Sequence, residues 1–287
     1  MTELIALIQQ NSTLFIIITS LLGLVFGSFL NVVIHRLPIM MEMSWRDQCA
    51  SLNGSDKPTK TTKYNLITPR SACPNCQKPI AAWHNIPIIS FLILGGKCKD
   101  CKASISWRYP AVELISTCLV GLVAYKFGFS LNTFAASAFV LALMSLTFID
   151  LDTQLLPDDI TLPLLWLGLF FNLNGSFTDI QSAVVGVVAG YLILWSLYWL
   201  FKIITGKEGM GYGDFKMLAA IGAWLGWGML PLVILLSSIA GSIIGIGLML
   251  FAKKGINTAI PFGPYLALGG IVALFFGTQL SNLYLVG

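Results

Sequence analysis

Two sets of residues in this 287-residue chain are of types that do chemistry. The first is a pair of C-x-x-C motifs, Cys73-Pro-Asn-Cys76 and Cys98-Lys-Asp-Cys101, separated by 21 residues. Two residues between ligands let one turn present both sulfurs to a tetrahedral ion, and two such turns make a four-thiolate zinc site. With all four positions filled by protein, that zinc is structural rather than catalytic. The second set is carboxylates set into apolar sequence. Asp214 lies in Gly211-Tyr-Gly-Asp214-Phe-Lys216, and Asp150 ends an apolar run and is followed closely by Asp152, Asp158 and Asp159. A negative charge at a helix C-terminus is mildly unfavourable, so Asp150 has no capping reason to be there and is a functional candidate. Two such carboxylates facing each other at a half-dry interface tend to share one proton. The ionised member can then activate water while the protonated one polarises a peptide carbonyl, which is aspartyl proteolysis.

Composition says what must hold these groups. Of the residues, 56% are hydrophobic and 10% charged, with a mean hydropathy of +0.81, against about 25% charged in soluble domains. This predicts an all-α polytopic membrane protein. Apolar runs long enough to cross about 30 Å of hydrocarbon fall near residues 13–34, 109–125, 131–149, 160–175, 181–201, 217–229, 230–251 and 264–285. These give about eight spans, the sixth short, with Gly226, Gly228 and Pro231 at a junction that could make the sixth and seventh one broken element. The first twelve residues carry no Lys or Arg, so the basic region of a cleaved signal is lacking and the first span is expected to be retained. If the N-terminus faces outward, Lys126 is the only one of the 17 basic residues in an outer loop. The positive-inside rule then predicts an outward N-terminus and places Asp150, Asp152, Asp158, Asp159 and Asp214 on the cytoplasmic face.

Three regions follow: a first transmembrane segment (1–34), a small cytoplasmic insert carrying the zinc module (35–108), and a membrane domain with the aspartates (109–287). Within the insert, residues 40–68 are rich in Ser, Thr, Lys and Asp and read as loop. Lys78, Lys97, Lys99 and Lys102 near the cysteines would favour thiolates. Cys49 receives no role, and Cys118, inside the second span, reads as a buried apolar residue. His35 and His84 have no partner at ligand spacing and read as interfacial or packing residues. Glu113, a few residues into a span, is costly there and expected to face a partner or cavity. One of Asp158 and Asp159 is expected to cap the following helix. Asp152, Asp158 and Asp159, lacking a basic partner in their own loop, are expected to attract a basic substrate segment.

In order along the chain stand Gly27-Ser-Phe-Leu-Asn-Val-Val-Ile-His-Arg-Leu-Pro38, the double C-x-x-C, Arg108-Tyr-Pro-Ala-Val-Glu113, Ile149-Asp150-Leu-Asp152 with Leu156-Pro-Asp158, Gly211-Tyr-Gly-Asp214-Phe-Lys216, and Pro261-Phe-Gly-Pro-Tyr-Leu266. With these, nearly the whole chain resembles the bacterial type 4 prepilin peptidases, of the G-x-G-D class of intramembrane aspartyl proteases. The resemblance implies that Asp150 and Asp214 are the catalytic pair. It implies a multi-pass protein of the bacterial inner membrane, with periplasmic N-terminus and with zinc insert and active site facing the cytoplasm. The family cuts the short basic leader from type IV prepilins and pseudopilins after a glycine. Many members then N-methylate the new terminal residue with S-adenosylmethionine, and the cysteine-bearing insert is implicated in that step. Gly95 and Gly96 occupy a place linked to methylation, although a turn entering a zinc knuckle explains two glycines equally well. Gly211 and Gly213 are expected to let Asp214 and a substrate backbone approach.

The rival reading from another class is a proton-coupled transporter with Asp150, Asp214 and Glu113 as relay groups. Both aspartates sit at the ends of spans, whereas relay carboxylates lie near the midplane. A membrane-tethered nucleic-acid or protein binder is a weaker rival. Positive-inside bias already explains the basic insert, and the expected partners are prepilins, pseudopilins and membrane lipid, with no nucleic acid.

Overall fold

The computed structural model describes residues 7–52, 64–81, 83, 86–251 and 261–285. Every predicted span is a helix: α1 (Ser12–Leu52), α3 (Arg108–Phe127), α4 (Leu131–Thr153), α5 (Asp158–Asn172), α6 (Ile180–Thr205), α7 (Tyr212–Leu225), α8 (Leu230–Phe251) and α9 (Gly263–Leu285). A five-residue helix, α2 (Ile89–Ile93), lies between the cysteine motifs. No strand occurs among the described residues, only isolated bridges. Among the described residues six helices are long and apolar enough to cross a membrane. The two others, α5 with 15 residues and α7 with 14, reach only about 20 Å at 1.5 Å per residue. A turn at Gly226 and a 3-10 turn, Trp227–Met229, separate α7 from α8. They are two helices, not one broken element.

The chain divides into two compact units, Met1–Ser137 and Ala138–Gly287. In the first, α1 packs along α3. The close approach is at Gly27, where a Cβ would stand 2.8 Å from Ser116 and 2.9 Å from the Glu113 Cα. Small residues at such interfaces suit helix packing in lipid, where dispersion rather than water exclusion holds helices together. Helix α1 does not end near residue 34 but runs on to Leu52, so residues 40–52 are helix and not the loop the composition suggested. Met, Glu, Gln, Ala and Leu there are good helix formers, and Glu42 and Arg46 pair one turn apart. Residues 53–63 of that expected loop, and His84, lie outside the described residues. Buried Arg36 fastens the returning chain, donating to the Asn65 carbonyl at 2.9 Å and the Pro69 carbonyl at 2.6 Å. Cys118 is exposed on α3, not buried as expected.

In the second unit α7 is the core. It packs against α5, α6 and α9, with further contact to α8. All but four of its residues are buried, which is what a helix apolar on every side must do. Its C-terminal end is closed by buried Asn172, whose amide donates to the Ala223 and Trp224 carbonyls at 2.8 and 3.0 Å. Those carbonyls have no partner within a helix, so a side chain must supply one. Trp224 in turn donates from Nε1 to the Leu164 carbonyl at 2.8 Å. Together these bonds anchor the C-terminal end of α7 to α5, and the opposite end carries Asp214.

Candidate active site and metal centre

The cysteine module is two near-copies of one turn. In the first, the Cys73 N–H donates to Lys78 O (3.0 Å) and Gln77 N–H to Cys73 O (2.8 Å). In the second, Cys98 N–H donates to Ala103 O (2.8 Å) and Lys102 N–H to Cys98 O (3.1 Å). Each turn closes with a non-glycine residue at positive φ, Gln77 at 57° and Lys102 at 60°. The four sulfurs lie within 4.8 Å of one another, and Cys73 Sγ is 3.7 Å from Cys101 Sγ. Tetrahedral zinc with bonds of about 2.3 Å sets its sulfurs about 3.8 Å apart, so this donor set can hold such a metal ion. Backbone donors favour the thiolate at two of the cysteines, whereas Cys76, despite its own backbone donor at Lys78, is pushed up to about 11 by burial and the neighbouring thiols. The Ala103 N–H leads in holding Cys101 down to about 6, and the Cys76 and Asn75 N–H groups lead in lowering Cys73. Of the lysines expected to help, Lys78 bridges the two turns by pairing with Asp100 at 3.2 Å.

Gly95 and Gly96, at φ 58° and 68°, make the turn from α2 into the second knuckle. The Gly96 N–H donates to Phe91 O (2.9 Å) and its carbonyl accepts from Ile105 N–H (2.7 Å). Glycine takes left-handed φ without strain, so the turn accounts for both residues. Glu113 has the partner expected of it: its Oε2 accepts from the Ile88 N–H at 2.8 Å, ahead of α2.

In the second unit the carboxylates converge. Asp150, in the last turn of α4, and Asp214, in the first turn of α7, are both buried and lie close enough for their charges to interact. Each is held on one oxygen by a backbone donor. Gly263 N–H donates to Asp150 Oδ2 at 3.0 Å, and Gly211 N–H donates to Asp214 Oδ2 at 3.2 Å. Asp214 Oδ1 is buried with no hydrogen-bond partner among the described residues. Leu156, on the connection between α4 and α5, is the spacer. A Cβ on Gly213 would stand 2.7 Å from Leu156 Cβ, and one on Gly263 3.2 Å from Leu156 Cδ2 and 2.6 Å from Asp150 Oδ2. Gly213 and Gly263 are therefore glycines because of close approach. Gly211 is different: its φ is −85° and a Cβ there would meet nothing nearer than 3.9 Å.

The acidic rim differs from expectation in two respects. Neither Asp158 nor Asp159 caps α5; the N-cap is Pro157, and both carboxylates stand in the first turn, where the helix dipole favours them. Asp158 also has a basic partner, from another helix: Lys216 Nζ donates to its Oδ1 at 2.8 Å and Oδ2 at 2.7 Å. Asp152 and Asp159 are exposed.

Comparison with known proteins agrees with the geometry. Residues 21–127 match the model of the bacterial peptidase A24 N-terminal domain, and residues 137–246 that of the type IV leader peptidase family. A protein of Aeromonas salmonicida, a prepilin leader peptidase/N-methyltransferase, is 53% identical over 99% of both chains. Relatives with the same description in Aeromonas hydrophila (52%, 99% of both chains) and Pseudomonas aeruginosa (52%, over 94% of this chain and 93% of the relative) are equally similar. The chain belongs to the type IV leader peptidase family. No solved structure matches it. The resemblance read from the motifs is thus borne out, as are the all-α membrane class and a cysteine cluster able to hold a metal. Sequence reasoning gave no role to Gly263 and Leu156, although both lie in motifs of this family. The signal was a leucine and a glycine each preceding a proline, Leu156 before Pro157 and Gly263 before Pro264, which only the packed structure turns into contacts.

Proposed function

We propose that this protein is a membrane aspartyl endopeptidase that removes the basic leader from type IV prepilins and pseudopilins after a glycine, with Asp150 and Asp214 as its catalytic pair and residues 109–287 as its peptidase region. The observation that carries the reading is the pairing of two buried carboxylates, each held on one oxygen by a backbone N–H, with Asp214 Oδ1 left open. With one proton between them, the ionised carboxylate takes a proton from water as that water attacks the scissile carbonyl, and the other protonates the carbonyl oxygen. Collapse of the tetrahedral intermediate breaks the C–N bond, and a proton from the pair goes to the leaving amine. The open face at Gly211 admits the substrate backbone. Exposed Asp152 and Asp159 add negative charge to the rim that draws the leader's cations, and Lys216 balances the charge of Asp158.

The positive-inside distribution supports an inner-membrane protein with a periplasmic N-terminus and with the aspartates facing the cytoplasm. Cys73, Cys76, Cys98 and Cys101 hold structural zinc, which locks the two turns of the insert together. The relatives' description supports a second activity, N-methylation of the new terminal residue with S-adenosylmethionine. Gly95 and Gly96, in the left-handed turn that enters the second knuckle, are the candidate positions for contact with that donor.

Incubation of a purified prepilin with wild type, Asp150→Ala and Asp214→Ala protein, with and without S-adenosylmethionine, tests both activities by mass spectrometry. Each alanine variant should cut at least about 10³-fold more slowly, as expected when one member of a catalytic unit is removed. Full leader removal by either variant overturns the peptidase assignment. A product that is cut but never methylated by wild type removes the second activity alone.

A further inference from the structure

The ion pair between Asp158 and Lys216 joins two helices beside the carboxylate pair. Lys216 lies two residues beyond Asp214 in the first turn of α7, and Asp158 opens α5 two residues beyond Leu156. The connection carrying Leu156 and Asp158 is therefore fastened to the start of α7 twice: Leu156 lies against Gly213, and Asp158 takes both of its bonds from Lys216 at 2.8 and 2.7 Å. The same connection leaves α4 just after Asp150, and Leu156 also lies against Gly263, whose N–H holds Asp150. The separation of the two catalytic carboxylates thus depends on where this connection meets α7. Apolar contact at Leu156 sets the distance of approach but permits sliding. The charge-assisted pair adds a second point of attachment, so sliding would have to separate opposite charges.

Partial exposure decides how the pair contributes. The two side chains are 32% and 51% exposed, and ion pairs so placed add about 0–1 kcal/mol to stability. Misplacing a reacting group by about 1 Å, in contrast, can lower a rate about 10²-fold. We propose that Lys216 and Asp158 form an electrostatic brace that positions Asp214 against Asp150, so that both are positioning residues for leader cleavage rather than contacts for the leader's basic residues. The proposal rests on the peptidase reading above.

The test uses full-length protein in detergent with a purified prepilin, and compares Lys216→Gln, Asp158→Asn and the exchanged pair Lys216→Asp/Asp158→Lys. Each single variant should lower kcat about 10-fold with KM within about 2-fold, and leave the thermal midpoint unchanged, because a brace acts on geometry after binding. The exchanged pair restores the attraction with reversed polarity and should recover kcat to within about 3-fold of wild type. Overturning results are a defect confined to KM, which assigns Asp158 to the leader, or an exchanged pair no better than the worse single variant, which shows that the charge at position 216 itself matters. A midpoint lowered in the singles along with kcat also overturns it, in favour of a fold-stabilising role. Wild-type protein that fails to cut refutes the peptidase reading instead.

Discussion

The two reactive regions of this chain are built in opposite ways. The four cysteines lie within 29 residues, on two turns whose hydrogen bonds each close within six residues. Their donors are local amides, and the negative charge of the thiolates is met where it arises. The two aspartates belong to different helices, and their surroundings come from four places in the chain: Gly211, Gly213, Leu156 and Gly263. Among the described residues no lysine or arginine side chain pairs with either carboxylate, and Asp214 keeps Oδ1 for other work. A local module needs an ion to close it, whereas a carboxylate pair assembled from distant segments needs packing to hold its distance.

The contrast breaks first at the glycines. Gly263→Ala puts a methyl 2.6 Å from Asp150 Oδ2, and Gly213→Ala puts one 2.7 Å from Leu156. Both should lower kcat for leader cleavage about 10²-fold through displaced carboxylates, with a stability loss of about 1–3 kcal/mol from overpacking. Gly211→Ala adds its methyl to open space at an ordinary φ. It should leave kcat alone and raise KM a few-fold if the substrate backbone passes there. Steady-state kinetics of the three variants on one prepilin separates these outcomes, and an equal kcat loss at Gly211 refutes the division between packing glycines and an approach glycine.

The same difference governs what could be read from the sequence. The cysteine spacing is a local code, so the cluster was legible in full. Asp150 and Asp214 were legible as oddities of charge in apolar sequence, and the basic-residue distribution predicts one side of the membrane for both. The spacer Leu156 and the donor Gly263 were not legible as such, because a leucine and a glycine owe their roles to whatever packs on them. The Asp158–Lys216 pair was hidden by the assumption that a charge finds its partner in its own loop. Helix α1 was read too short because its polar extension lacks the hydropathy that marked its first half, although its helix propensity continues.

Metal removal probes the other half of the comparison. Cys101→Ser, or extraction by a strong chelator, should lower bound zinc below one per chain and raise amide exchange throughout residues 71–105. Leader cleavage should change by less than about 3-fold, while the ratio of methylated to unmethylated product falls about 10-fold or more, as expected if the cysteine module serves only the second activity. The pH dependence has a definite sign. Metal binding needs thiolates, so zinc retention should fall as the pH is lowered and the four sulfurs take up protons. Cleavage lost in step with zinc would merge the two regions into one functional unit.

The smallest expected effect lies where a membrane helix meets the polar insert. Glu113 is buried, and its carboxylate accepts from Ile88 N–H at 2.8 Å at a residue held at φ 58°. A β-branched residue rarely takes that conformation, so the bond from Glu113 is part of what keeps it there. Glu113→Gln keeps the accepting oxygen and removes only the charge, and should change stability by less than about 0.5 kcal/mol. Glu113→Ala leaves a partly buried N–H without its acceptor, a loss of about 1–2 kcal/mol, and should raise exchange at residues 88–96 before the knuckles open. If Gln is as damaging as Ala, the charge and not the hydrogen bond is what Glu113 supplies. The carboxylate would then be doing chemistry rather than anchoring α2.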